Sequence, residues 1–199
     1  MALTQKQRLG VFLALALVMA ATRMNHFGAL PDASWAVFFL GGFWLRGSAR
    51  WAFPLLMAEA VLVDFLVITN QGLDFWSHYC VSAAYWFLVP AYFSMWMGGS
   101  LLARFAPRID AKALGLLAVS LVAAVSVCYL ISNGSFYWLS NSVPQPRSMG
   151  AWMANLGDWY LPYLRTSAIY VGIGAVMHVL VVKLTAALGH QHDAGRAIH

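Results

Sequence analysis

Charged residues are scarce in this 199-residue chain, since Asp, Glu, Lys and Arg together make up only 10% of it. An average soluble domain is about 25% charged, so the composition excludes an ordinary soluble protein. Hydrophobic residues instead reach 61%, and the mean hydropathy is +0.69. These values predict an integral membrane protein that forms a single domain over residues 1–199.

Several short motifs of enzymes and nucleotide-binding proteins are also missing. No lysine stands in a G-x-x-x-x-G-K-[ST] pattern, which excludes a Walker-type ATP site within this chain. Neither C-x-x-C nor H-E-x-x-H occurs, which excludes these redox and zinc motifs. The basic residues are spread between apolar stretches rather than gathered in one patch, so nucleic acid is not a predicted partner.

Apolar stretches divide the chain into six candidate membrane helices, because about 20 apolar residues cross a bilayer. They cover about residues 7–23, 34–46, 51–69, 77–104, 112–132 and 161–188, and a disordered tail follows over 189–199. Nine of the twelve Lys and Arg residues fall on one side of this arrangement, which predicts cytoplasmic N and C termini. The sequence therefore predicts an all-α, multi-pass membrane protein in contact with membrane lipids.

Residues that cap or bend helices refine these boundaries. Ser34 and Ser77 are predicted N-caps of the second and fourth helices. Pro54 and Pro162 are expected in the first turns of the third and sixth helices, where proline is tolerated. Pro90 is expected to kink the fourth helix in its interior.

The outer links are longer than the cytoplasmic ones and contain most of the candidate binding residues. They span residues 24–33, 70–76 and 132–160. Links as long as the third are usually functional or disordered, and this one is aromatic with few charges, which argues against disorder. We expect it to fold over the outer face as a lid.

The stretch DFWSHYCVSAAYW (74–86) places a thiol among aromatic rings at the start of the fourth helix. If Ser77 caps that helix, Cys80 lies in its first turn, where the helix dipole favours the thiolate. Ala83 and Ala84 follow one turn later and leave a flat recess beneath the sulfur. A polarizable thiolate above a flat recess suits a planar ligand with a soft metal centre.

Two other roles for Cys80 stay open at this point. Free cysteine is among the most buried residue types, so Cys80 could be a packing residue like the one expected at Cys128. The two cysteines could also form a disulfide with each other on the outer side.

Further candidates for ligand contacts lie on the same side of the protein. Asp64 is inside the third span, where a carboxylate is costly and indicates either a functional site or an internal ion pair. Arg165 is expected at a similar height and is its predicted partner. Loop and aromatic residues are further candidates for ligand contacts. The histidines could instead face water, and the aromatic residues could instead lie at the membrane interface. These candidates are Asn25, His26, His78, Tyr79, Tyr85, Trp86, Trp138 and Trp152.

Two passages carry a resemblance to a known family. NHFGALPDASWAVFFLGGFW (25–44) and the HYC element ending at Cys80, on a six-helix pattern, resemble the BtuM family of small bacterial cobalamin transporters. That family is related to the substrate-binding S components of energy-coupling-factor (ECF) transporters. The resemblance covers essentially the whole chain.

The resemblance implies that cobalamin (vitamin B12) or a related corrinoid is captured under the outer loops and taken up across the inner membrane. Cys80 would be an axial ligand of its cobalt, and cobalamin would be the transported ligand rather than an intrinsic cofactor. The sulfur could then displace an upper ligand such as cyanide, which would give Cys80 a catalytic role. An ECF ATPase module could dock at Ala16 and Ala20 of the first helix, although some members of the family are thought to act alone.

Other functions remain open on the sequence alone. The chain could be an S component for another vitamin or for a metal ion, although a metal-ion site needs several close His or carboxylate ligands. It could also be a thiol-dependent membrane enzyme that uses Cys80 with His78. Successive helical residues point about 100° apart, so a helical segment would place these two side chains poorly for a dyad.

Overall fold

The protein is all-helical in its computed structural model, which describes residues 3–24, 31–106 and 108–196. Helices make up 83% of the structure, and the described residues form no strand. The α-helices are α1 (Gln5–Arg23), α2 (Ser34–Leu45), α3 (Ala49–Asn70), α4 (Leu88–Phe105), α5 (Ala111–Leu139) and α6 (Met149–Arg196). Short 3₁₀ helices, Arg46–Ser48 and Ala83–Phe87, lead into α3 and α4. The all-α prediction is confirmed.

In the described part of the chain, three helical stretches are long and apolar enough to cross a membrane. They are Ser34–Asn70, which contains both α2 and α3, together with Ala111–Leu139 and Met149–Leu188. Each contains an 18-residue window of high mean hydropathy, with values of 2.0, 2.5 and 2.0. Stretches of this length and composition indicate membrane association.

Helix α2 is the centre of the structure. Nine of its twelve residues are buried, and it packs against α1, α3, α4 and α6. A helix that is apolar on all sides belongs in the interior of a bundle. The sequence of α2, SWAVFFLGGFWL, is of this kind, and Phe38 and Phe39 are fully buried in it.

Glycines allow α2 and α4 to cross at very short range. A Cβ atom on Gly42 would lie 2.0 Å from the carbonyl oxygen of Trp96. A Cβ atom on Gly99 would lie 1.8 Å from the carbonyl oxygen of Phe39. Both contacts are with backbone, which cannot rotate away as a side chain can, so this crossing requires glycine.

The fourth helix begins at Leu88 and not at residue 77, which corrects the predicted boundary. Side chains in the preceding turns bond to the local backbone instead. Asp74 Oδ2 accepts from the Ser77 backbone N–H at 2.9 Å, and His78 Nδ1 accepts from the Cys80 N–H at 3.4 Å. Such bonds compete with helix formation.

Proline and serine positions also differ from the predictions. Pro90 lies in the first turn of α4, where a missing N–H costs little, and not in the helix interior. Pro54 and Pro162 are instead inside α3 and α6. Ser34 is the first residue of α2 rather than its N-cap, and Asp32 Oδ1 accepts from its backbone N–H at 2.9 Å.

The third outer link is much shorter than predicted. Helix α5 continues to Leu139 and α6 begins at Met149, so residues 140–148 alone connect them. The missed signal is the helical spacing of Trp152, Leu156 and Trp159. Helix α6 also runs through residues 189–196, which corrects that part of the predicted disordered tail; residues 197–199 lie outside the described part.

Candidate functional site

One end of the bundle contains a cavity of about 940 Å³. Its wall is built by the end of α1, the start of α2, the end of α3, the segment 71–87 that follows, and parts of α4, α5 and α6. Six of the predicted site residues line it: Asp64, His78, Tyr79, Cys80, Ala84 and Tyr85. The cavity is therefore the candidate binding site.

Arg23, at the end of α1, organises the polar floor of this cavity. Its guanidinium is only 7% exposed and forms a bidentate pair with Asp64 of α3, in which both N···O distances are 2.7 Å. Its Nη1 also donates to Asp32 Oδ2 at 3.0 Å, to Ser34 Oγ at 2.9 Å and to the Tyr92 hydroxyl at 3.1 Å. Charge-assisted bidentate bonds of this kind are strong, so Arg23 holds four helices together at the floor.

The pairing of Asp64 with Arg165 was therefore wrong. Arg165 is exposed on α6 and is not among the described residues that line the cavity. Asp64 is bonded to Arg23 instead, and it also accepts from the Tyr85 hydroxyl at 2.6 Å. In the sequence, Arg23 stands at the end of an apolar stretch, and this position alone does not identify its carboxylate partner.

Cys80 lies in a turn on the cavity wall and is half-buried. It is not at the start of a helix, so the expectation of a dipole-stabilised thiolate is wrong. Burial raises the pKa of the Cys80 thiol above its ordinary value, and hydrogen bonding with the Tyr79 hydroxyl acts in the opposite direction. The resting thiol is therefore largely protonated near neutral pH.

The two cysteines do not form a disulfide, because both are free in the structure. Cys128 is fully buried in α5, in agreement with its expected packing role. Cys80, in contrast, reaches the cavity. Of the two thiols, one therefore lines the cavity and the other lies in the core.

Two side-chain hydrogen bonds tie the segment 71–87 to other parts of the structure, one at its middle and one near its C-terminal end. The Tyr85 hydroxyl ties it to Asp64 on the floor. Ser142, in the link 140–148, donates from Oγ to the Tyr79 carbonyl oxygen at 3.2 Å. The segment that carries Cys80 is therefore positioned by side chains rather than by a helix.

Further aromatic rings, from α2, α5 and α6, also form part of the cavity wall. Trp35 of α2 stacks on Tyr163 of α6, with ring centroids 4.7 Å apart and an interplanar angle of 23°. Phe136 and Trp159 also line the cavity. These residues come from three separate parts of the chain, α2, α5 and α6, so no local pattern reveals that they meet.

The remaining predicted contacts fall elsewhere. Ala83 and Trp86 are exposed, and neither is among the described residues of the cavity wall. Trp138 packs edge-on against Trp152, with centroids 6.1 Å apart, outside that wall. The aromatic pair stabilises the junction of α5 and α6 rather than the cavity.

Asn25 and His26 lie outside the described residues, so their predicted contacts stay predictions. Within residues 3–24, 31–106 and 108–196, no group of three or more His, Cys, Asp or Glu side chains is arranged to hold a metal ion.

Fold and site together define a class: an all-helical, membrane-associated protein with a large polar and aromatic cavity at one end of the bundle. No family model matches the chain, and no curated protein matches it.

Proposed function

We propose that this protein binds cobalamin or a related corrinoid in the cavity, from the outer side, and mediates its uptake across the bacterial inner membrane. Six membrane helices with cytoplasmic termini belong to this proposal. So does Cys80 as the axial ligand of the cobalt. Docking of an ATPase module on α1 stays a prediction, and the proposal does not depend on it.

The observation that carries the proposal is the position of Cys80. Its side chain lines the 940 Å³ cavity, whereas the second thiol, Cys128, is fully buried. Thiolate sulfur is a soft ligand and suits a transition metal such as cobalt. A half-buried thiol on the wall of a large cavity is what axial coordination of a bulky metal complex requires.

The size and lining of the cavity support a large organic ligand. Pockets for small molecules and cofactors usually measure about 300–1,000 Å³, and this one lies near the upper end. The stacked Trp35 and Tyr163 rings offer a flat apolar surface against which a macrocycle can pack. A bare metal ion would not need such a space.

The raised pKa of Cys80 gives the binding step a defined chemistry. The thiol must lose its proton when sulfur bonds to cobalt, because the thiolate is the ligand. With cyanocobalamin, the sulfur–cobalt bond forms as the cobalt–cyanide bond breaks, and the thiol proton leaves with cyanide as hydrogen cyanide. Both bond changes are heterolytic and the oxidation state of the cobalt does not change, so no oxidant or reductant is needed.

A thiol-dependent enzyme has less support from the geometry. His78 uses Nδ1 to accept from the Cys80 backbone N–H, at 3.4 Å. The side chain that hydrogen bonds with the thiol is that of Tyr79. A cysteine–histidine dyad would need the imidazole on the sulfur.

The test is cobalamin binding by the purified full-length protein, followed by its absorption spectrum. Wild type should bind cobalamin and change its spectrum, whereas Cys80→Ser should lose the spectral change. Cys128→Ala is the matched control and should retain it, since Cys128 is fully buried and is not among the described residues that line the cavity. An unchanged spectrum in Cys80→Ser would remove the sulfur–cobalt bond, and no binding by wild type would remove the corrinoid.

Transport needs a separate measurement. A bacterial strain without its own cobalamin transporter should take up labelled cobalamin when it expresses this chain. Cys80→Ser should take up less, at equal amounts of protein in the membrane. Binding without uptake would reduce the proposal to a corrinoid-binding protein.

A further inference from the structure

The cavity is acidic although the chain is basic. The chain carries a formal net charge of +5 with histidines neutral. The charged residues among the described cavity lining are Arg23, Asp32, Asp64 and Asp74, which sum to a formal charge of −2. The charge that a ligand meets in the cavity is therefore opposite in sign to that of the whole protein.

The single guanidinium of this lining is already occupied by the protein. Arg23 makes five hydrogen bonds through Nε, Nη1 and Nη2, and its acceptors are all protein groups. A guanidinium has five N–H donors, of which the Nε and both Nη1 groups and one Nη2 group meet these acceptors, so at most one Nη2 N–H is left for an anionic ligand. At 7% exposure, the group is also nearly closed off from the cavity.

The carboxylates are more accessible than the guanidinium. Asp32 and Asp64 are 20% and 19% exposed, and each contributes oxygens to the floor. Asp74 is exposed on the segment 71–87, at the edge of the cavity, where its Oδ2 accepts from the Ser77 backbone N–H at 2.9 Å. The floor and one edge thus present oxygen acceptors with excess negative charge.

We infer that this cavity discriminates by charge: it admits ligands that are cationic or bear neutral amide donors, and it rejects ligands that carry carboxylates. A concave site with a net charge concentrates its field, which raises the local concentration of oppositely charged molecules. If the ligand is a corrinoid, as proposed above, the same rule applies to its side chains. The cavity then binds corrinoids with intact side-chain amides more tightly than corrinoids in which one amide has been hydrolysed to a carboxylate.

The first experiment measures the charge of the cavity without any corrinoid. In the full-length protein, Cys80 is converted to a mixed disulfide by two methanethiosulfonate reagents of similar size, one cationic and one anionic, and methanesulfinate leaves in both reactions. The thiolate fraction is the same for both reagents, so after correction for their intrinsic reactivities the ratio of rates reports the local potential. We expect the cationic reagent to react about tenfold faster, the ratio that two net charges at roughly 10 Å produce in a water-like medium.

Matched variants locate the source of that ratio. Asp74→Asn should lower it about threefold, because it removes one of the two net charges. Asp158→Asn removes an exposed carboxylate that is not part of the described lining and should leave the ratio unchanged. Cys80→Ser supplies the background from Cys128. Equal rates in wild type, or an equal effect of both Asp variants, would overturn the inference.

The second experiment compares cobalamin with a cobalamin derivative that has one side-chain amide hydrolysed to a carboxylate. The derivative should bind at least about fourfold more weakly at low salt, and the difference should shrink as salt screens the charges. Equal affinities would overturn the selectivity. If neither compound binds, the proposed function fails, and the reagent ratio still decides the charge of the cavity.

Discussion

Helices α2 and α4 meet backbone to backbone, whereas the segment 71–87 is held by a small number of side-chain bonds. The first region relies on shape, since Gly42 and Gly99 leave no room for a single methyl group. The second relies on polar partners such as the Tyr85–Asp64 bond. A rigid core thus supports a ligand-facing segment that can be altered without loss of the fold.

The largest effect is expected where the two helices cross. Gly99→Ala would place Cβ 1.8 Å from the Phe39 carbonyl oxygen, so α2 and α4 must move apart. We expect this movement to distort the cavity floor as well. We expect a loss of more than about 3 kcal/mol in the free energy of unfolding, of the size seen for severe core disruption. Thermal unfolding of the purified protein in detergent measures it.

Gly115→Ala is the matched control, because nothing lies within 4 Å of its added Cβ. It should be neutral or stabilise α5 by up to about 1 kcal/mol, the difference in helix propensity. Comparable melting temperatures for the two variants would refute the role of close packing.

The next largest effect is expected at the link between core and site. Arg23→Met leaves Asp64 and Asp32 without their cation, and breaking a buried ion pair from one side costs about 3–5 kcal/mol. Arg165→Met, on the exposed face of α6, should change stability by no more than about 0.5 kcal/mol. Chemical denaturation of both variants measures the change in the free energy of unfolding. If Arg23→Met is as stable as wild type, the hydrogen-bond network around Arg23 does not stabilise the fold.

A smaller, local effect is expected from Tyr85→Phe. It removes one hydrogen bond to a charged acceptor, worth about 1.5 kcal/mol. Hydrogen exchange should accelerate in residues 71–87 and stay unchanged in α2 and α4. Tyr170→Phe, which loses a bond to the neutral Pro31 carbonyl, should have a weaker effect. Uniform acceleration throughout the molecule would mean that the segment is not independent of the core.

The smallest effect concerns proton binding at Cys80. Because burial raises the pKa of this thiol, its alkylation rate in a Cys128→Ala background should rise with pH to a midpoint above the ordinary cysteine value. Tyr79→Phe removes the interaction that lowers this pKa, so the midpoint should move further up. Sulfur–cobalt bonding should strengthen over the same rise in pH. A midpoint below the ordinary value would restore the thiolate hypothesis.

Periodicity and composition predicted the helices of this protein better than their ends. The apolar stretches of α1, α2 and α3 lie within two residues or so of their observed limits. The predicted start of α4 was wrong because side chains in residues 77–82 bond to the nearby backbone. The predicted start of α6 was wrong because the first turns of this helix are polar enough to resemble a connecting loop.

The candidate site was predicted in part. The unusual composition of the stretch around Cys80 predicted a binding site there, and several of its residues line the cavity. Arg23, Trp35 and Tyr163 were missed as site residues, since each is unremarkable in its own sequence context. Their importance comes from contacts between residues far apart in the chain, such as the Arg23–Asp64 pair, which no local pattern encodes.

By itself, the sequence determined that the chain is helical and membrane-associated, because hydropathy and periodicity are properties of local stretches. It also determined that only two thiols exist. The tertiary structure alone decided which thiol faces a cavity, which carboxylate pairs with Arg23, and the negative charge of the cavity. These depend on how helices cross, and that geometry follows from packing between distant glycines and aromatic rings rather than from any single stretch.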